Sequence, residues 1–171
     1  MAEIADVLEY YSRCNKGINT GMIKIIKEND IFNKTFPGYY KTINEILFHI
    51  LAVDLSWTSD LRQIIVSDVF ENELYKNFDD HNNISPYKSI IEFERDRTTL
   101  DDLLIKFIKE IDQKDLEKEL PYKNKKNKTS WEILIHMFNH QTHHRGQISQ
   151  ILDENNISND FSNMIRYDRK F

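Results

Sequence analysis

Glycine and proline are nearly missing from this chain, with four glycines and three prolines in 171 residues. That scarcity removes most turn and hairpin signals and favours long helices. Cysteine is rarer still. Cys14 stands alone, which excludes an internal disulfide and any Cys-x-x-Cys metal site, and a lone thiol fits a reducing compartment. No apolar run approaches the roughly 20 residues that a membrane span needs. The start, M-A-E-I-A-D-V, lacks the basic head and apolar core of a secretory signal. The expectation is a cytoplasmic protein with no membrane partner. Basic charge is also in short supply. Lys and Arg number 23 against 28 Asp and Glu, a net charge of −5, so nucleic acid is not expected as a partner. No Gly-x-Ser-x-Gly elbow, P-loop or dinucleotide fingerprint occurs.

What is present is a chain that can fold as one domain, residues 1–171, with 40% hydrophobic and 30% charged residues. Four long segments repeat apolar residues at helical spacing. The first carries Ile4, Val7, Tyr11, Cys14, Ile18, Met22 and Ile25, and the second Ile46, Ile50, Val53, Trp57, Leu61 and Ile64. The third carries Ile90, Phe93, Leu100, Leu104, Phe107 and Ile111, interrupted by Arg97. The fourth carries Ile133, Met137, Ile148 and Ile151. A short fifth helix is expected near 161–167. Thr42-x-x-Glu45 and Thr129-x-x-Glu132 fit the capping box, in which hydroxyl and carboxylate each satisfy an orphan backbone N–H. The connection from about 68 to 88 is long enough to cross from one end of a bundle to the other, so an up-down-down-up order is expected. The stretch 121–128, rich in lysine, reads as an exposed loop.

The two capped segments hold histidines. His136, His140, His143 and His144 crowd the fourth, and His49 lies on the second. At about 100° per residue, His140, His144 and Gln147 share one line with Ile133 and Ile151, so polar groups occupy the middle of a stripe that faces the core. Burying an unpaired imidazole costs a few kcal/mol, and a metal ion or a polar network would satisfy it. Imidazoles three or four residues apart can share one ion. His140 with His144, completed by His49, is one arrangement; His136 with His140, and His140 with His143, are others. Gln141 follows His140 where the H-E-x-x-H metalloprotease motif needs glutamate. Gly146 is costly inside a helix, by about 1 kcal/mol relative to alanine. It suggests close approach of another backbone, within the bundle or across a subunit contact. Asn15 and Arg97 also interrupt apolar stripes, either as structural hydrogen-bond or ion-pair partners or as groups that orient a ligand histidine.

The second helix, T-I-N-E-I-L-F-H-I-L-A-V-D-L-S-W, and the fourth, H-M-F-N-H-Q-T-H-H-R-G-Q-I-S-Q-I-L, together resemble the DinB/YfiT-like family of bacterial metal-binding four-helix bundles. Asn15 and the tail D-F-S-N-M-I-R-Y extend the resemblance over nearly the whole chain. Two departures stand out. Cys14 replaces a tryptophan common in the family, and Asn156 replaces a glycine after the fourth helix; asparagine is the next best residue for a left-handed helix end. The resemblance implies an all-α, up-down-down-up four-helix bundle with a long crossover between the second and third helices and a short C-terminal helix. It also implies a homodimer and metal ligands at His49, His140 and His144. The implied cofactor is a divalent ion, zinc or nickel first, manganese or iron second. Better understood relatives are thiol-dependent transferases and isomerases using bacillithiol or mycothiol, and some members are called hydrolases. The leading expectation is therefore a metal-dependent enzyme activating a low-molecular-weight thiol for a small-molecule substrate. The alternatives are a hydrolase and a non-enzymatic, stress-related metal-binding module. Glu45, Gln147 and Arg145 are conceivable helpers, Arg145 equally as an ion-pair partner.

Overall fold

The computed structural model describes residues 3–78, 86–122 and 125–167. Its chain order is α1 (Ile4–Glu28), α2 (Ile43–Leu61), a 3-10 turn (Asp68–Glu71), α3 (Glu73–Lys76), α4 (Ile90–Glu110), α5 (Gln113–Glu117), β1 (Glu119–Tyr122), β2 (Lys125–Thr129), α6 (Ser130–Glu154) and α7 (Met164–Tyr167). The protein is predominantly helical, and the four long helices are those that the apolar spacing predicts. Among the described residues no helix is long and apolar enough to cross a membrane.

Both predicted capping boxes form. Thr42 Oγ1 accepts from the Glu45 N–H at 3.1 Å, and Glu45 returns the bond to the Thr42 N–H at 3.2 Å. At α6 the same exchange joins Thr129 and Glu132, at 3.4 and 2.9 Å. These boxes fix where the two histidine-bearing helices begin. The far end of α6 is closed by Asn156, whose φ is 58°. The Ile157 N–H reaches the Leu152 carbonyl at 2.9 Å and the Asn156 N–H reaches Asp153 at 3.0 Å, the Schellman pattern that a left-handed residue permits.

α1 packs on α4 and α6, and α2 packs on α6 and α4, so the four long helices enclose one core. Pairs across the helices set their register. Lys27 meets Glu94 at 2.7 Å and Asn19 meets Asp101 at 3.1 Å between α1 and α4. Asn44, in the first turn of α2, donates to the Tyr87 carbonyl at 2.7 Å, and Asp54 meets Arg97 at 2.6 Å between α2 and α4. The α1 stripe is turned slightly from its predicted face. Val7 is 36% exposed and Leu8 is fully buried in its place. Cys14 is buried, and its thiol faces the Met164 carbonyl at 3.5 Å; a small residue there leaves room for the C-terminal segment.

Three expectations need correction. The stretch 121–128 is not a plain loop, because β1 and β2 pair antiparallel, with Leu120 opposite Lys128, and Leu120 is buried. A purely α fold therefore gains a small two-stranded sheet. The short C-terminal helix is confined to Met164–Tyr167. Gly146 is exposed and a Cβ built there would touch nothing within 4 Å, so no other described element presses on it within the bundle. The close approach occurs at Gly17 instead, where a Cβ would lie 2.9 Å from the Tyr167 carbonyl oxygen. The 68–88 connection contains the 3-10 turn and α3, and its residues 79–85 lie outside the described residues.

Candidate metal centre

The antiphase of two helices brings three histidines to one point. His49 Nε2 lies 3.1 Å from His140 Nε2, which lies 3.0 Å from His144 Nε2. All three donor atoms fall within 4.8 Å of one another. Two nitrogens each about 2.0–2.1 Å from one ion stand roughly 2.9–3.4 Å apart, for right-angle to tetrahedral bond angles. The two separations through His140 fall in that range, so the three imidazoles could hold one ion.

The hydrogen bonding points the same way. His144 Nδ1 meets Gln147 Oε1 at 2.7 Å. A carbonyl oxygen can only accept, so Nδ1 carries the proton and Nε2 presents its lone pair to the cluster. A single proton on His140 Nε2 would then have to serve both neighbours. A cation takes all three lone pairs at once. Burial, followed by the neighbouring His144, His49, His136 and His143, pushes the His140 imidazolium down to about 4. Burial also lowers His144, against the opposing bond from Gln147. Both rings are thus neutral near pH 7, the protonation state that ligation needs. Among the described residues no carboxylate or thiolate joins the three imidazoles.

The other residues singled out by the sequence take separate places. His136 is exposed and turns its ring edge-on to Trp57, with centroids 5.3 Å apart. His143 is exposed and stands against His144 at 4.9 Å. Glu45 is held in its helix cap. Of Glu45, Gln147 and Arg145, Gln147 is the one hydrogen-bonded to a clustered imidazole, that of His144. His140 Nδ1 is buried without a hydrogen-bond partner among the described residues, so the middle ring is held by packing.

Arg97 does not touch the histidines. It is 1% exposed and joins Asp54 at 2.6 Å and Asp101 at 2.7 Å. Gln141 donates to Asp54 at 2.9 Å and accepts from Arg145 at 3.1 Å, while Asn19 donates to Asp101. Arg145 bonds Gln141 and Thr142 rather than a carboxylate. Burial raises both aspartates and Arg97 pulls them back. Burial opposes the Arg97 charge, but the two carboxylates outweigh it and hold the guanidinium charged. This polar layer ties α1, α2, α4 and α6 together. Asn15 is buried beside it in sequence, with its Oδ1 lacking a partner among the described residues. The structural reading holds for Arg97.

One neighbour escaped the sequence reading. Tyr40, in the loop before α2, packs over the site with its ring 5.5 Å from His49 and 5.8 Å from His144. Burial, then Tyr39, raises its phenol above the usual range, so it stays neutral. Loop residues carry no periodic signal; its place directly before the Thr42 cap was the only hint.

A family model described as the DinB family matches residues 1–155. No curated protein matches the chain. The matched span contains both capped helices, the H-x-x-x-H-R-G-Q run and all three converging histidines, and the chain belongs to the DinB family.

Proposed function

We propose that His49, His140 and His144 hold one divalent cation, zinc or nickel first and manganese or iron second, in an enzyme that activates a small-molecule thiol for transfer to an electrophile. The observation that carries this reading is the convergence of three Nε2 atoms, 3.1 and 3.0 Å apart through His140, with no anionic ligand beside them among the described residues. An ion held by three neutral imidazoles keeps its full double charge and, when bound, would draw a thiol toward its thiolate. The chain's own residues do the rest. Two helices fix the three donors, Gln147 sets the tautomer of His144, and the Tyr40 ring covers two of the imidazoles. Hydrolysis is the weaker reading, because water activation gains from a positioned proton acceptor and Glu45 is already committed to its cap. A purely structural ion would favour a fourth protein ligand, and the cluster offers three.

The same proposal includes the architecture that the site requires. We read the chain as one domain whose long helices run up-down-down-up. In support, α1 contacts run against the direction of α4 (Lys27 with Glu94, Asn19 with Asp101), whereas Asn44 with Tyr87, just before α4, and Asp54 with Arg97 advance together along the two segments. The homodimer stays in the proposal through the family resemblance, with exposed Gly146 as a candidate contact.

The test is a thiol-transfer assay. Zinc- or nickel-loaded protein is given bacillithiol and a fluorogenic alkyl bromide, so that sulfur bonds to carbon, bromide leaves and the thiol proton passes to buffer. A saturable rate above background, lost in His140→Ala, is expected. Rates equal to background with bacillithiol and with mycothiol, for both metals, would refute the enzyme reading.

A further inference from the structure

Beside the histidines the groove between α2 and α6 opens into two adjoining cavities of about 460 and 470 Å³. Both are lined by Trp57, Tyr122, Lys128 and Ile133; Val53 and Ser56 extend the first, and Trp131 and His136 the second. Their sizes fall in the range of small-molecule sites. Aromatic rings form the shared wall, Trp57 and Tyr122 in both cavities and Trp131 in the second. Trp57 and Tyr122 stack with centroids 5.8 Å apart and planes inclined by 26°, and His136 stands edge-on to Trp57. The chain has two tryptophans, and both lie here.

The unforeseen hairpin builds one wall. Leu120, Pro121 and Tyr122 of β1 all line the first cavity, and the stacking of Tyr122 on Trp57 turns its ring toward α2. The position relative to the histidines follows from helix geometry. Val53 and Ser56 lie one and two turns beyond His49, and His136 and Ile133 lie one and two turns before His140. At 1.5 Å per residue the cavities begin about 6–10 Å from the ligand rings along the helices. The polar groups at hand are Ser56, Asp60 and Gln63 in the first cavity, Asn139 and Glu132 in the second, and Lys128 in both. Lys128 is only loosely paired, with Nζ 3.4 Å from Glu132, whose carboxylate also accepts from the Thr129 N–H.

We propose that this cleft binds a planar aromatic molecule bearing a hydrogen-bond-accepting substituent, and that the molecule is the electrophilic partner of the thiol. The flat rings of Trp57, Tyr122 and Trp131 select a flat ligand, and the Lys128 ammonium meets its acceptor group. Only the word electrophilic rests on the proposed metal chemistry; the binding itself does not.

The probe is 4-nitrobenzyl alcohol, titrated into the full chain while tryptophan fluorescence is read, with correction for its absorbance. Saturable quenching with Kd on the order of a millimolar or tighter is expected for a ligand this small. Tyr122→Ser should weaken it about threefold to tenfold, the worth of one aromatic contact, whereas Tyr122→Phe should retain it. Circular dichroism of both variants identifies any loss of fold, and Trp131 reports binding in Trp57→Leu, where a similar weakening is expected. Cyclohexylmethanol, close in bulk but not flat, should not compete. His140→Ala should bind the probe within about twofold of wild type while losing metal, so failure of the metal site and failure of the cleft are separable. Unsaturable quenching, equal competition by cyclohexylmethanol, or unchanged affinity in folded Tyr122→Ser would overturn the inference.

Discussion

Gln147→Ala removes the polar contact that orients His144 in the proposed metal centre. The bond it removes, His144 Nδ1 to Gln147 Oε1 at 2.7 Å, holds the proton on Nδ1 and the lone pair on Nε2. Losing such an orienting partner weakens metal binding by about 10- to 100-fold in comparable sites. Here the lower end is expected, because Gln147 is half-buried and water can replace its oxygen. A neutral hydrogen bond is worth about 0.5–1.5 kcal/mol net, and tenfold in affinity is about 1.4 kcal/mol. The assay is competition for zinc against a chromogenic chelator at neutral pH, with circular dichroism to confirm that α6 is intact. Gln147→Glu supplies a stronger acceptor and should bind at least as tightly as wild type. Affinity of Gln147→Ala within twofold of wild type, or a Glu variant as weak as the Ala variant, would refute the orienting role.

Two further outcomes follow from the buried polar layer and from the histidines. Arg97→Met leaves two carboxylates buried without their cation, and breaking such a pair costs about 3–5 kcal/mol; urea unfolding should show that loss, and a change under about 1 kcal/mol would contradict the network. The pH dependence has a definite sign. The His140 pKa falls from 6.5 to about 4 on folding, so the unfolded chain binds the proton first. Metal-free protein should therefore keep its stability above about pH 6.5 and lose it progressively toward pH 4. Thermal melts across that window check it, and stability rising as pH falls would have the wrong sign.

The helices and their histidines were legible because both rest on spacing. Apolar residues three and four apart mark the long helices, and the hydroxyl–carboxylate pairs at Thr42 and Thr129 mark where two of them begin. The line through His140, His144 and Gln147 placed two imidazoles and their helper on one core-facing stripe. What it could not choose was the third imidazole; His136 and His143 on the same helix stayed open beside His49 until tertiary packing paired α2 with α6. The hairpin was hidden for a physical reason. Its second strand is lysine and asparagine, residues of low strand propensity, and it is held by backbone pairing and by burial of Leu120 rather than by an alternating pattern. Asp54 and Gln141 were passed over because a polar residue next to an apolar stripe reads as a helix edge. Only the Arg97–Asp101 spacing of four hinted at a buried pair. At Gly146 the close approach expected within the bundle is absent among the described residues, whereas Gly17 sits under Tyr167 from the far end of the chain.

The most direct test of the three-histidine centre is metal content by mass spectrometry on untagged protein, comparing wild type with His49→Ala and His144→Ala. About one divalent ion per chain is expected in wild type, absent from both variants although they come from different helices. No bound metal in wild type, even after loading with zinc, nickel and manganese, would contradict the proposal and leave the histidines as structural residues.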